Sequence, residues 1–157
     1  MKIPSSSPPP ETPEPDPFGE DEFRAWRGFL RAHRRVTDEL NQRLWRAHGL
    51  TMLHYGVLIT LITDPSRTMR MTDLAERVLT SPSGMTRAVA ALADQGLIDR
   101  EPDPADGRSV VARLTRRGVS RLRDAQVTHH ACVRELLFAE LGPDDVRRLA
   151  EIYARAG

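Results

Sequence analysis

Two arginines in this chain stand where a guanidinium could act on an anion. Residues 81–90 read Ser-Pro-Ser-Gly-Met-Thr-Arg-Ala-Val-Ala, and at helical spacing Ser83, Thr86, Arg87 and Ala90 lie opposite Met85, Val89 and Leu92. The outward face is short and polar, with one long cation. A phosphate backbone can approach such a face closely while Arg87 reaches a phosphate or a guanine edge and Ser81, Ser83 and Thr86 offer hydroxyls. The second arginine is Arg108, in Asp106-Gly107-Arg108. A carboxylate two residues before an arginine can hold the guanidinium by charge-assisted hydrogen bonds, so that it projects in one direction. An arginine so presented suits the narrow, electronegative minor groove of A·T-rich DNA. The same residues would also make an ordinary solvated helix face and a surface pair that steadies a turn, so their placement decides.

The flanking sequence places them. Ser81-Pro82 pairs an N-cap with proline at the first helical position, so a helix is predicted to start there, and Gly96 stops it. Before it, Thr72 is expected to cap a brief helix with Leu74, Ala75, Val78 and Leu79 turned inward and Asp73 at its positive end. After it, Leu97–Glu101 and Arg108–Leu114 alternate as two strands around a turn-rich tip, Pro102–Gly107. Two short helices followed by a hairpin make a winged helix-turn-helix. In that motif the second helix enters a major groove by its N-terminal residues, and the hairpin reaches the neighbouring backbone or minor groove.

Longer helices surround this lobe. Phe23, Trp26, Leu30, His33, Thr37, Leu40 and Leu44 form a stripe that runs to about His48, with Gly49 at its end. A largely apolar helix spans Thr51 to Thr63 and is expected to be central. Thr115 caps a long helix to about Leu141, Gly142-Pro143 breaks it, and Val146, Leu149, Ala150 and Tyr153 mark a last amphipathic helix. The expected fold is therefore mainly α with a small β-wing. The division is a tail over 1–20, a winged DNA-binding lobe over 51–114, and outer helices over 21–48 and 115–157. Those outer helices carry more apolar stripe than one lobe can cover, which predicts a homodimer. Two readers about 34–36 Å apart would engage a palindrome in double-stranded DNA.

Composition is consistent with this once the chain is divided. It has 157 residues, 39% of them hydrophobic, enough for one domain with a core. Seven of its 12 prolines fall in the first 17 residues, and the tail over 1–20 is too poor in aliphatic residues to offset its ordering entropy, so it is expected to be disordered. The net charge of +1 is the sum of −5 over residues 1–22 and +6 over residues 23–157, where arginine occurs and lysine does not. A basic, arginine-rich body suits a polyanion, although codon usage alone can also enrich arginine. The single cysteine, Cys132, excludes an internal disulfide, no run approaches the ~20 apolar residues of a membrane span, and no signal peptide is evident. A cytoplasmic setting and no membrane partner are expected. There is no phosphate loop, nucleophile elbow or HExxH, so no enzyme is expected.

Residues 70–118 resemble the DNA-binding lobe of the MarR family of bacterial regulators. The resemblance is carried by Met71-x-x-Leu74-Ala75, Ser81-x-Ser83-x-x-Thr86-Arg87, Gly96-Leu97, Asp106-x-Arg108 and Leu114-Thr115-x-x-Gly118 in that order, and with the flanking helices it covers about residues 21–155. It implies an obligate homodimer on an inverted-repeat operator, and repression relieved by a small ligand, often a phenolic or other aromatic acid. It also implies an effector cleft between the first two helices and the dimerisation helix, for which Trp26, Leu30, His33, Arg34, His54 and Tyr55 are the candidates. No cofactor is expected beyond such an effector. Aromatic and histidine residues at helical spacing also serve as core. Two variants of the reading remain: a redox- or metal-responsive regulator, and a winged-helix scaffold that binds only protein. The family's peroxide sensors use a cysteine near the start of the first long helix, where this chain has none, and Cys132 beside Val133 suits a small buried role. The adjacent His129 and His130 project ~100° apart on a helix and cannot chelate one ion together.

Overall fold

The computed structural model describes residues 18–156. Of the tail expected over residues 1–20, residues 1–17 lie outside the described range, and Glu20 is already the first residue of helix α1 (Glu20–His48). The Glu22 carboxylate accepts the Gly19 N–H at 2.7 Å, and Glu20, Asp21 and Glu22 all sit at the helix's positive end. Gly49 closes α1 at φ 66°, a left-handed geometry that glycine adopts without strain. Helix α2 (Met52–Thr63) follows, with the Thr51 hydroxyl accepting the His54 N–H at 3.1 Å. Strand β1 (Thr68–Arg70), helix α3 (Met71–Arg77), helix α4 (Pro82–Asp94) and strands β2 (Ile98–Asp103) and β3 (Asp106–Leu114) complete the lobe. Helix α5 (Arg116–Val133) runs into a π-helical turn (Arg134–Phe138), and helix α6 (Pro143–Ala156) ends the described chain.

The fold is mainly helical with a small antiparallel sheet of order β1-β3-β2, the winged helix-turn-helix that the sequence predicts. Several local features differ. Helix α3 begins at Met71 with Arg70 in the cap position, so Thr72 lies within the first turn and does not cap it. Strand β1 has no counterpart in the sequence pattern: three residues are too few to show alternation, and pairing with β3 from Thr68↔Arg113 to Arg70↔Val111 makes it a strand. The wing strands extend further than the sequence suggests, leaving only Pro104-Ala105 at the tip. Leu79 is not inward. It is the most exposed large apolar residue described.

The core gathers around α2, whose Tyr55, Val57, Leu58 and Leu61 are buried with Leu44, Leu50, Leu74, Met85, Val89, Leu92, Leu97, Ile98 and Leu122. Helix α1 packs on α5, and beyond it Arg43 forms a two-bond fork with Glu135 at 2.7 and 2.9 Å while also donating to Glu39 at 2.7 Å. The lobe joins the outer helices at one tight crossing. The Thr115 hydroxyl accepts the Gly118 N–H at 3.0 Å and lies 2.8 Å from the Gly96 carbonyl to which it donates, and the Thr115 N–H donates to the Leu97 carbonyl at 3.1 Å. A methyl group on Gly118 would sit 2.2 Å from that Leu97 oxygen and 2.6 Å from Leu114 Cδ1, and the first of these is fixed backbone.

Gly118→Ala is therefore expected to destabilise the fold by about 2–3 kcal/mol, although alanine is the better helix former. Thermal unfolding followed by circular dichroism should show a fall of roughly 5–10 °C. An unchanged melting temperature would contradict the close approach.

Candidate nucleic-acid interface

Helix α4 turns Met85, Ala88, Val89 and Leu92 into the core and leaves Ser81, Ser83, Thr86 and Arg87 exposed. Ala90, expected on the outward face, is half-buried. The Ser81 oxygen accepts the Gly84 N–H at 3.1 Å, so this residue first caps the helix, and its oxygen lies 3.3 Å from that of Ser83. The Thr86 hydroxyl donates to the Pro82 carbonyl at 2.9 Å. A methyl at position 84 would lie 2.9 Å from the Thr80 hydroxyl oxygen and 3.1 Å from that of Ser81, so a larger residue there would displace these two hydroxyls. The result is a tight cluster of hydroxyls over the first turn, with Arg87 on the next. Among the described residues, neither Arg87 nor Arg108 takes part in an ion pair.

At the wing the structure corrects the role expected of Asp106. Its carboxylate accepts the backbone N–H of Arg108 at 3.1 Å and the Ser109 hydroxyl at 2.7 Å, and it makes no bond to the Arg108 guanidinium. Asp106 shapes the turn that presents Arg108, and the guanidinium is left free of it. The Ser109 hydroxyl and then the Arg108 N–H hold the Asp106 carboxyl below its ordinary pKa. The residue that fastens the wing is one that sequence reasoning missed. Asp103 is only 7% exposed, and its carboxylate accepts the Arg70 Nε–H at 2.5 Å and the Ala105 N–H at 2.8 Å. Arg70 ends β1 and precedes α3, so this pair ties the wing tip to the start of the helix-turn-helix. Arg113 of β3 bridges to Glu101 and, at 3.9 Å, to Asp99 across the wing. The turn composition around Asp103 is visible in the sequence, but a partner 33 residues earlier has no local signal.

Comparison with known proteins agrees with this geometry. The regulator ML2140 of Mycobacterium leprae is 35% identical over 77 residues, which is 49% of this chain and 52% of that one, so the chain spans about half the length of that relative in the match. YkoM, an uncharacterised HTH-type transcriptional regulator of Bacillus subtilis, is 30% identical over 144 residues, covering 89% of this chain and 91% of that protein. A profile of the MarR family matches residues 48–109. The crystal structure of Sco3205, a MarR family transcriptional regulator from Streptomyces coelicolor in complex with DNA, superposes with a TM-score of 0.82 at 33% identity over 92% of this chain and 91% of that one. The chain belongs to the MarR family of transcriptional regulators.

In this MarR-family chain the residues expected to hold an effector have different surroundings among the described residues. His33 lines an apolar cleft of about 200 Å³ with Phe29, Val36, Leu137 and Tyr153, whereas Trp26, Leu30, Arg34, His54 and Tyr55 are not part of its lining. Trp26 stacks on Phe29 with ring centres 5.8 Å apart, and Arg34 lies 3.6 Å from Asp38 on the exposed side of α1. His54 serves α2 itself, its Nδ1 accepting the Thr51 N–H at 3.4 Å, and burial lowers its pKa. Tyr55 is buried against His129, the rings 4.6 Å apart and within 9° of parallel. Burial, then the neighbouring His130, lowers the pKa of His129, and burial raises that of the Cys132 thiol. Cys132 is fully buried.

The Ala105 N–H, and beside it the Arg70 guanidinium, depress the Asp103 carboxyl pKa against the opposing effect of its burial. A carboxyl depressed in the folded state adds stability above its unfolded pKa, and that stability is lost as pH falls through the folded value. Asp103→Asn should therefore melt below the wild type at neutral pH, and the gap should close as pH falls below about 4. Thermal melts across that range check this; a gap independent of pH would contradict it.

Proposed function

We propose that this MarR-family protein is a sequence-specific regulator that reads an inverted-repeat operator in double-stranded DNA as a homodimer, and that it represses by occluding a promoter. The observation that carries the reading is the pair of arginines without acidic partners among the described residues, Arg87 beyond a cluster of exposed hydroxyls on α4 and Arg108 on the wing, in a chain 33% identical to a family member crystallised with DNA. Arg87 and Arg108 are the contacts, Ser83 and Thr86 touch base edges or phosphates, Ser81 does so while capping α4, and Asp106 sets the turn beneath Arg108. Residues 51–114 form the reading lobe.

Residues 21–48 and 115–157 supply the two-fold interface, supported by the partly exposed Phe23, Trp26, Phe29, Leu30, Ile152 and Tyr153 on α1 and α6. The activity is binding, without catalysis, in the cytoplasm. A small aromatic or phenolic acid is the proposed effector. The cleft beside Phe29, His33 and Tyr153 supports it by offering aromatic walls and an imidazole.

Arg87→Ala and Arg108→Ala are each expected to weaken operator binding roughly tenfold or more. Each should also flatten the dependence of log affinity on log salt by about one unit for every phosphate the protein no longer neutralises, and a dimer doubles that number. Fluorescence anisotropy over a salt series reads both quantities. Unchanged affinity and slope in both variants would overturn the assignment.

A further inference from the structure

The turn between α3 and α4 contains a residue that folding does not account for. Val78 is the C-cap of α3, the Leu79 N–H donates to the Glu76 carbonyl at 3.1 Å, and the Thr80 N–H donates to the Ala75 carbonyl at 3.0 Å. These two bonds are the Schellman closure, which requires a left-handed residue just past the cap and favours glycine there. This chain has leucine at that place, with φ 55°. A β-carbon at that angle crowds the following carbonyl, so leucine is disfavoured against glycine or asparagine. Nor does packing compensate, since Leu79 is 92% exposed. Backbone strain and solvation both work against leucine in the isolated chain.

The other left-handed non-glycine residue among the described residues is different in kind. Arg67, at φ 53°, closes a turn by donating to the Asp64 carbonyl and accepting from the Leu114 N–H, each at 2.9 Å, and its side chain is polar. A single exposed leucine is unremarkable on any surface. One held in a disfavoured conformation with its side chain almost wholly open to solvent points to a partner outside the chain.

The position limits what that partner is. Leu79 stands two residues before Ser81, which caps α4, and the intervening Thr80 hydroxyl lies over the first turn of that helix, close to Gly84. The leucine therefore adjoins the face that carries Ser81, Ser83, Thr86 and Arg87. A duplex meeting that face offers apolar carbon in two forms, the C5-methyl of thymine and the deoxyribose ring. We infer that Leu79 is a DNA-contacting residue that packs on such a carbon at the edge of the groove entered by α4; this rests on the DNA-reading function proposed above. Stability and binding then pull in opposite directions at this residue.

The test uses Leu79→Asn, which suits the left-handed backbone, and Leu79→Gly, each in the full-length protein on an operator fragment that the wild type retains. Both variants should keep or raise the melting temperature while binding the operator about five- to tenfold more weakly. Replacing single thymines by deoxyuridine in each half-site separates the two carbons. A methyl contact is shown by one position where deoxyuridine weakens the wild type but not Leu79→Asn, and a sugar contact by reduced affinity in the variants with no such position. Equal operator affinity in wild type and both variants overturns the inference while leaving the DNA-reading function intact, and so does a loss of affinity that only parallels a loss of melting temperature. Failure of the wild type to retain any DNA overturns both.

Discussion

The approach of Gly118 to the Leu97 carbonyl is the constraint on which the arrangement of this molecule depends. Four segments meet there: the end of α4 at Gly96, the head of the wing at Leu97, the end of β3 at Leu114 and the start of α5 at Thr115. Gly96 takes a left-handed turn at φ 69° to bring Leu97 inward, and the Leu97 carbonyl then accepts the Thr115 N–H at 3.1 Å. Because Gly118 carries only hydrogen, the first turn of α5 packs directly against the Leu97 backbone. The start of α5 is thus joined by direct backbone contact to the segment between α4 and the wing.

The same economy governs charge. The wing region holds four acids that could repel a phosphate backbone, and each is engaged locally. Asp99 and Glu101 face Arg113, Asp103 is buried against Arg70, and Asp106 accepts from its own turn. Arg87 and Arg108 lack such partners among the described residues. The chain's net charge of +1 says little about this, because charge relevant to a polyanion is set by which groups are already neutralised by neighbours.

What the sequence reveals follows from short-range chemistry. Ser81-Pro82, Gly96 and Thr115 mark helix ends through local capping, and each stands at the end of a helix in the structure. The wing is legible because two extended runs flank a cluster of turn residues, although the turn itself is Pro104-Ala105 and Asp106-Gly107 already belongs to β3. Features that depend on distant partners are not. Strand β1 exists only because β3 pairs with it, and the Arg70–Asp103 bridge spans 33 positions. Leu79 follows Leu74, Ala75 and Val78 in an apolar run that suggests core, yet the helix has already ended and the Schellman turn rotates it outward. For Asp106 the spacing indicates the right neighbourhood and the wrong bond, since two residues of separation cannot distinguish a guanidinium from a backbone N–H. The effector candidates scatter for the same reason: His33 lines the cleft, His54 stands at the cap of α2, Tyr55 packs on His129 and Arg34 faces Asp38.

On this reading the hydroxyl cluster and the two arginines together recognise a specific, symmetric DNA site. The most direct measurement is to pass sheared genomic DNA over the immobilised full-length protein at physiological salt and sequence what is retained. The expected result is enrichment of fragments sharing an inverted repeat whose half-sites are centred about one helical turn apart. Retained DNA with no common sequence, or none retained at all, would contradict it.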